Sequence, residues 1–132
     1  MPGRLEDVKV LIVDDDRDVR ESMDAAFQAE GAMTQTAADG NSAVRVCMED
    51  PPDLVVLDMM LPGRSGFLCL EKIKGREDSP LVIMVTANDG KRHQDYAEAL
   101  GVDKYLQKPV PLRVLLDAAV ELIDKQDSED EE

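Results

Sequence analysis

The stretch VLIVDDDRDV, residues 10–19, places four apolar residues directly before Asp14, Asp15 and Asp16. Neighbouring carboxylates repel one another, and the repulsion grows where they are partly removed from water. We therefore expect a positive charge beside these carboxylates. The stretch is also the first of the apolar runs from which the fold is predicted.

The length and the composition predict one domain with an aliphatic core. A chain of 132 residues can bury a core without disulfides or metal ions. Hydrophobic residues make up 43% of the chain and aromatic residues only 3%, so the core is built from Val, Leu, Ile, Ala and Met. Stacking of nucleic-acid bases on aromatic side chains is not expected.

The charge of the chain argues against direct binding to nucleic acid. The formal net charge is −14, whereas affinity for a phosphate backbone depends on Lys and Arg. Part of the negative charge lies in the run DSEDEE, residues 127–132, which has no apolar residue. We therefore expect one domain over residues 1–125 and a disordered acidic tail over residues 126–132.

The two cysteines, Cys47 and Cys69, stand apart in the sequence beside apolar neighbours, and no histidine lies at metal-binding spacing from them. Two buried, reduced thiols are expected.

The chain has no apolar run of membrane-spanning length and no apolar segment near residue 1, so no membrane association is expected. The sequence therefore predicts a cytoplasmic protein.

Five short runs with strand character alternate with longer segments of helical periodicity. Such alternation is typical of a parallel sheet with helices on both faces, and most of the runs are nearly continuously apolar, as strands buried on both faces are. The predicted strands are Val8–Val13, Met33–Ala37, Leu54–Leu57, Leu81–Val85 and Lys104–Leu106. The predicted helices follow in turn: one ends at Gly31, one contains Ala43, Val46 and Cys47, and three cover residues 65–75, residues 91–100 and the residues from Pro111 onward, with Leu112, Leu115, Leu116, Ala119 and Leu122 inward. The predicted fold class is α/β, a doubly wound (βα)₅ parallel sheet.

Residues with functional chemistry gather at the carboxyl ends of the predicted strands, the edge where open α/β sheets bind ligands. They are Asp14 and Asp15 after the first strand, Asp58 after the third, Thr86 and Ala87 after the fourth, and Lys108 and Pro109 after the fifth. Clustered carboxylates without His or Cys are ligands suited to Mg²⁺. The sequence therefore predicts a magnesium site, while Asp16 is expected to cap the first helix.

Asp58 ends the run DLVVLD and precedes a turn-rich loop, MMLPGRSG. A carboxylate beside Mg²⁺ and a lysine can attack phosphorus, because the cations neutralise the phosphoryl oxygens. Thr86 offers a hydroxyl donor and Lys108 an ammonium group to the same oxygens. Asp58 is therefore the predicted nucleophile of a phosphoryl transfer.

The motifs VDDD, LDMMLPGRSG, MVTA and YLQKPV occur in this order, and with them residues 6–125 resemble the receiver domain of two-component response regulators. The resemblance implies a flavodoxin-like sheet with strand order 2-1-3-4-5. It implies that a sensor histidine kinase or a histidine phosphotransfer protein donates the phosphoryl group, and that the domain catalyses only its own phosphorylation and dephosphorylation and is not otherwise an enzyme. A surface of helix 4, strand 5 and helix 5 would then signal to a partner protein, from a monomer or a phosphorylation-dependent dimer.

The resemblance also implies the roles of the acidic residues. Asp58 is expected to be the phosphoacceptor and a ligand of Mg²⁺. Asp15 is expected to bind the ion directly and Asp14 through water. The backbone carbonyl of Met60 is the further protein ligand that the resemblance implies.

On the same basis, Thr86 resembles the switch hydroxyl that turns toward the phosphoryl group, and Tyr105 the aromatic residue that moves inward with it. Lys108 is expected to hold a phosphoryl oxygen, and the Lys108–Pro109 bond is expected to be cis.

Met60, Ala87 and Asn88 are expected at the mouth of the pocket, where water approaches the acyl phosphate. Met60 cannot orient a nucleophilic water effectively, and Asn88 is a poor base. The phosphoryl group is therefore expected to hydrolyse slowly.

Two positions depart from the family pattern. Ser65 stands where an acidic residue is usual, which concerns the first turn of the third helix. Val110 stands where an aromatic residue is usual after the Lys-Pro pair, which concerns the fifth helix and the choice of partner. Neither position removes a predicted metal ligand.

Two other functions are alternatives. One is a pseudo-receiver, an interaction module with this fold that never takes phosphate. The other is a phosphohydrolase of the haloacid-dehalogenase type, with Asp14 as nucleophile and Asp16 as acid. Such an enzyme needs an acidic pair on a strand after the lysine, whereas the residues that follow here are Asp117, Glu121 and Asp124 on a predicted helix.

Overall fold

The computed structural model describes residues 3–87 and 90–130, and strands and helices alternate along them. The elements are β1 (Lys9–Val13), α1 (Arg17–Ala29), β2 (Met33–Ala37), α2 (Gly40–Glu49), β3 (Leu54–Asp58), α3 (Gly66–Lys74), β4 (Leu81–Thr86), α4 (Lys91–Ala99), β5 (Lys104–Gln107) and α5 (Leu112–Asp130). The predicted strands and helices are all present, and the bounds of the strands differ from the prediction by at most one residue.

The five strands form one parallel sheet in the order β2-β1-β3-β4-β5. This order confirms the flavodoxin-like fold. The register pairs Val13 with Leu57 and Asp58 with Val85, so neighbouring strands end almost level with one another. The residues that follow β1, β3, β4 and β5 are therefore brought to one edge of the sheet.

Hydrophobic side chains form one layer on each face of the sheet. Alternate residues of β1, β3 and β4 enter opposite layers, and α2, α3 and α4 cover one face while α1 and α5 cover the other. The expected burial on both faces holds for these three central strands. β2 and β5 are the two edge strands, and most of their residues are exposed or half-buried, so the burial expected of most strands is limited to the central three.

Short polar side chains fix the starts of three helices. The Asp16 carboxylate accepts the backbone N–H of Val19 at 3.1 Å, which confirms its predicted capping role. Asp39 caps α2 in the same way, and Ser65 caps α3 through its hydroxyl. Ser65 therefore replaces an acidic residue with another effective N-cap.

The disordered tail predicted for residues 126–132 is wrong as far as residue 130, because α5 continues to Asp130; residues 131 and 132 lie outside the described residues. No Gly or Pro follows Pro111 to end the helix, and Glu, Lys and Gln are good helix formers.

Leu112, predicted to face inward, is 39% exposed. It lies in the first turn of α5, whose buried side chains begin at Leu115.

Both cysteines are free thiols in the core, as predicted. Burial raises the pKa of Cys47 to about 11 and that of Cys69 to about 11, so both remain protonated at neutral pH. Within residues 3–87 and 90–130, no helix has the length and apolar character needed to cross a membrane.

Candidate functional site

Three carboxylates meet at the carboxyl edge of the sheet, and we call Asp14, Asp15 and Asp58 the acidic rim. One oxygen of each lies within 4.8 Å of the others. Asp14 and Asp58 are buried, with 2% and 6% of their surface exposed, whereas Asp15 is exposed. Two of the three charges are therefore shielded from water, which increases the repulsion within the rim.

Lys108 supplies positive charge to the rim. Its Nζ lies 2.8 Å from Asp14 Oδ2 and 3.2 Å from Asp58 Oδ2. Burial alone would lower the pKa of Lys108, but the hydrogen bond to Asp14 and the charges of both aspartates outweigh burial and raise it. The ammonium group is therefore charged at neutral pH, and it contacts two of the three carboxylates.

Asp14 is held by hydrogen bonds on both its backbone and its side chain. Its N–H donates to the carbonyl of Ala37 at 3.2 Å, and its carbonyl accepts Arg20 Nη1 at 2.8 Å. Its Oδ1 accepts the N–H of Asp16 at 2.9 Å, while Oδ2 accepts Lys108. Each Asp14 carboxylate oxygen therefore already accepts a hydrogen bond.

Asp58 is the last residue of β3, and its Oδ1 accepts the N–H of Met60 at 3.1 Å. Burial raises the pKa of Asp58 above its ordinary value, against the opposing effects of the Met60 hydrogen bond and the Lys108 charge. The loop after Asp58 turns back closely, and a Cβ on Gly66 would lie 2.4 Å from the Asp58 carbonyl oxygen. A side chain at residue 66 would therefore displace the backbone that carries Asp58.

Thr86 and Tyr105 lie on β4 and β5, respectively. Thr86 is fully buried at the end of β4, and its carbonyl accepts the N–H of Lys108 at 2.7 Å. This bond ties the lysine backbone to the strand that carries the threonine. Tyr105 is half-buried against the layer formed with α2, α3 and α4, and burial raises its pKa.

Two of the three residues predicted at the pocket mouth are described. Met60 is 67% exposed, and Ala87 is also exposed. Asn88 lies outside the described residues. The Lys108–Pro109 peptide bond is cis, as the resemblance implied.

The residues of the rim fit a hard divalent cation. The nearby donors are carboxylate oxygens, and among the described residues no His or Cys belongs to the cluster. Such a donor set is typical of Mg²⁺. With one ammonium and three carboxylates, the site also keeps the negative charge that a cation would balance.

The structure thus brings together Asp14, Asp15, Asp58 and Lys108 as the sequence predicted. Sequence reasoning missed Arg20 and the close approach at Gly66. Arg20 lies three residues before Met23 and seven before Phe27, the buried residues of α1, and this helical spacing is the signal that could have placed it on the side of α1 that faces the sheet. Gly66 was read only as part of a turn-rich loop.

The family model of the response regulator receiver domain matches residues 10–120. The chain is similar in structure to a CheY-like response regulator receiver domain protein from Methanospirillum hungatei, with 29% identity, a TM-score of 0.90, and coverage of 94% of this chain and 99% of that one.

It is also similar to a chain of the CheX-CheY-BeF3-Mg²⁺ complex from Borrelia burgdorferi, with 27% identity, a TM-score of 0.80, and coverage of 88% and 89%. A third similar structure is the receiver domain of a sensor histidine kinase from Pseudomonas aeruginosa, which has a magnesium ion coordinated in its active site cleft. Its identity is 25%, its TM-score 0.76, and its coverage 84% of this chain and 93% of that one.

Proposed function

The chain belongs to the family of response regulator receiver domains, and from this premise we propose that it takes a phosphoryl group from a phosphohistidine onto Asp58 and signals the change to a partner protein. The observation that carries the proposal is the Asp58 carboxylate, which is buried within the acidic rim and 3.2 Å from Lys108 Nζ. The family is one of signalling domains, so the proposed chemistry is confined to the domain's own carboxylate.

Asp58 is the nucleophile in this proposal. One of its oxygens attacks phosphorus, the phosphorus–nitrogen bond to the donor histidine breaks, and the bonding electrons remain on the histidine nitrogen. Lys108 exchanges its bond with Asp58 Oδ2 for one with a phosphoryl oxygen. Its bond to Asp14 Oδ2 holds it at the rim during this exchange.

Asp15, Asp58 and the carbonyl of Met60 would hold a divalent cation, Mg²⁺ in our proposal, and Asp14 would hold it through water. When bound, the ion supplies positive charge that neutralises the phosphoryl oxygens. The indirect role suits Asp14, because its two carboxylate oxygens already accept Asp16 N–H and Lys108.

The phosphodonor has an apolar approach to the rim. A groove of about 560 Å³ lies between α1 and the connection from β5 to α5, and Val19, Met23, Lys108 and Leu112 are among its lining residues. Because Lys108 lines the groove and contacts Asp58, a histidine-bearing helix seated in the groove is brought beside Asp58. The groove supports a histidine kinase or a histidine phosphotransfer protein as the donor.

Incubation with Mg²⁺ and acetyl phosphate, followed by intact mass measurement, tests the proposal. The wild-type protein is expected to gain one phosphoryl group, and Asp58→Asn is expected to gain none. Asp16→Asn is the matched control, because Asn caps a helix as well as Asp does and the variant keeps the rim. An unmodified wild-type protein would contradict phosphorylation and leave the pseudo-receiver as the function.

The same experiment separates the receiver from a phosphohydrolase of the haloacid-dehalogenase type, which would lose its label in Asp14 and Asp16 variants and keep it in Asp58→Asn. The structure already argues against that enzyme. Every described acidic residue after Lys108 lies on α5, so the strand-borne acidic pair is missing from the described part of the chain.

We further propose that phosphorylation changes the surface formed by α4, β5 and α5. A phosphoryl group adds charge and acceptor oxygens at Asp58, which draw Thr86 and Lys108 toward it. Tyr105 lies half-buried on β5, the strand that leads to Lys108. The change at Asp58 is thereby passed to β5.

Amide shifts recorded before and after phosphorylation test this switch. In the wild-type protein, shifts are expected in the rim and also in α4 and β5. Thr86→Ala is expected to accept phosphate with reduced shifts in α4 and β5. Shifts confined to the loop after Asp58 in the wild-type protein would contradict the switch and leave phosphorylation intact.

A further inference from the structure

Arg20 reaches from the second turn of α1 to the backbone of the acidic rim. Its Nη1 donates to the carbonyl oxygen of Asp14 at 2.8 Å, and its side chain is half-buried. No carboxylate in residues 3–87 and 90–130 forms a salt bridge with it within 4.0 Å, in contrast to Arg17, which pairs with Glu21 on the exposed side of the same helix. Arg20 is thus directed at a peptide group and not at a neighbouring charge.

The carbonyl that Arg20 holds belongs to the peptide between Asp14 and Asp15. Because a peptide group is planar, fixing its oxygen also fixes the direction in which the chain enters Asp15. Among the described residues, no hydrogen bond or salt bridge ends on the Asp15 carboxylate, in contrast to Asp14 and Asp58. The position of this metal ligand therefore depends on its backbone, and that backbone is held by Arg20.

We propose that Arg20 is a positioning residue, which orients the Asp14–Asp15 peptide and so increases the affinity of the rim for a divalent cation. This inference rests on the metal site of the proposed function. It predicts the sign of the change in cation affinity when Arg20 is replaced. Loss of the hydrogen bond weakens cation binding, whereas loss of the arginine charge alone would strengthen it, because a nearby positive charge repels the cation.

The experiment compares Arg20→Met with Arg17→Met, which removes the same charge from the same helix without touching the rim. The dissociation constant of Mg²⁺ is measured by calorimetry, with no phosphodonor present. Arg20→Met is expected to bind Mg²⁺ about tenfold more weakly than wild type, at the low end of the losses seen when the groups that orient metal ligands are removed. Arg17→Met is expected to stay within about twofold of wild type, because exposed charges are screened by salt.

Phosphorylation by acetyl phosphate gives the second readout. The rate for Arg20→Met is expected to need a higher Mg²⁺ concentration and to reach the wild-type value once Mg²⁺ saturates. Circular dichroism and the thermal midpoint without metal report folding. If Arg20→Met fails to fold, Arg20→Gln and Arg17→Gln replace the pair with the same expectation.

Wild-type or tighter Mg²⁺ binding by the folded Arg20 variant overturns the inference, and so does an equal loss in the Arg17 variant. A lower thermal midpoint with an unchanged dissociation constant also overturns it, because the role of Arg20 would then be structural only. Failure of the wild-type protein to accept phosphate, with the difference in Mg²⁺ binding intact, contradicts the proposed function and leaves this inference standing.

Discussion

Two lysine–aspartate networks lie at opposite edges of the same sheet. At the amino edge, Lys74 Nζ donates to Asp103 Oδ2 at 3.0 Å and to the carbonyl of Pro80 at 3.1 Å. The same Asp103 oxygen also accepts the N–H of Val82 at 2.8 Å. One ammonium group therefore meets one carboxylate, and the carboxylate fixes the start of β4.

At the carboxyl edge, Lys108 Nζ lies within 3.2 Å of Asp14 and Asp58, and Asp15 is the third carboxylate of the same rim. The two edges thus use the same residue types with a different charge balance. The balanced pair at the amino edge connects elements and has no surplus charge for a ligand. The surplus of negative charge at the rim is expected to cost stability and to favour the binding of a cation.

The comparison is tested most strongly by removing each lysine. Lys108→Met is expected to slow phosphorylation by acetyl phosphate about a hundredfold, because a charged group that faces the transferred phosphoryl oxygens is lost. Lys74→Met is expected to destabilise the fold and to leave the rate unchanged. The measurement is the rate of mass gain at saturating Mg²⁺ below the unfolding temperature. A similar loss of rate in both variants would break the comparison.

Asp103→Ala tests the structural role of the amino edge. The substitution leaves the Val82 N–H and the largely buried Lys74 ammonium short of a partner, so it is expected to lower the free energy of unfolding by about 2 kcal/mol. Urea unfolding with and without Mg²⁺ gives the loss, which should not depend on the metal. Asp50→Ala is the control, because its pair with Lys9 is exposed and should contribute at most about 1 kcal/mol.

Met60→Asn tests the lifetime of the phosphoryl group at the mouth of the rim. Asn can orient an attacking water and Met cannot, so the half-life of phosphorylated protein is expected to fall roughly tenfold, equivalent to about 1.4 kcal/mol in the barrier. Loss of the phosphoryl label in excess Mg²⁺ after removal of the donor gives the half-life. Leu68→Asn changes another exposed apolar residue, on α3, and should have no effect.

A wild-type half-life of seconds would contradict this reading of the pocket mouth. An unchanged or longer half-life in Met60→Asn would contradict it as well.

Asp58→Asn without metal tests the cost of surplus charge. Burial raises the folded-state pKa of Asp58 above the ordinary 3.8, so its ionisation opposes folding, and the wild-type protein loses stability as the pH rises from that value through the folded-state pKa. Removing this charge should stabilise the metal-free fold by about 1 kcal/mol at neutral pH. Asp103→Asn should destabilise the fold, because the Asp103 carboxylate is paired with the Lys74 ammonium group.

Urea unfolding in the presence of a chelator, at neutral and at acidic pH, gives the change in the free energy of unfolding for each of the two variants. An Asp58→Asn protein less stable than wild type at neutral pH would show that the charge of Asp58 does not destabilise the metal-free fold. A gain from Asp103→Asn would show that the two networks do not differ in charge balance.

Most of the fold could be predicted because its signals are local. The apolar run before Asp14 and the one that ends at Asp58 each predict a buried strand from a short segment alone, since apolar side chains are removed from water on folding. The length of α5 was missed, because an acidic segment without apolar residues is compatible with disorder and with the last turns of a helix that is anchored earlier, at Ile123.

The sequence predicted which residues form the site but not the hydrogen bonds among them. Parallel strands bring their carboxyl ends to one edge, so the acidic residues and Lys108 could be placed together from their positions after strands. Which oxygen each donor takes could not be placed. Lys108 divides its bonds between Asp14 and Asp58, and Asp14 uses its other oxygen for the N–H of Asp16.

The sequence by itself determined the alternation of strands and helices, the predicted chemistry at the ends of β1, β3, β4 and β5, and the surplus of acid there, because hydrophobic periodicity and side-chain type are properties of short segments. Only the tertiary structure decided that one lysine lies between two carboxylates 94 and 50 residues away in sequence, and that Arg20 holds the backbone before Asp15. Such contacts depend on the register of neighbouring strands and on where α1 lies over the sheet. Both are settled by packing of the whole core, which no single segment contains.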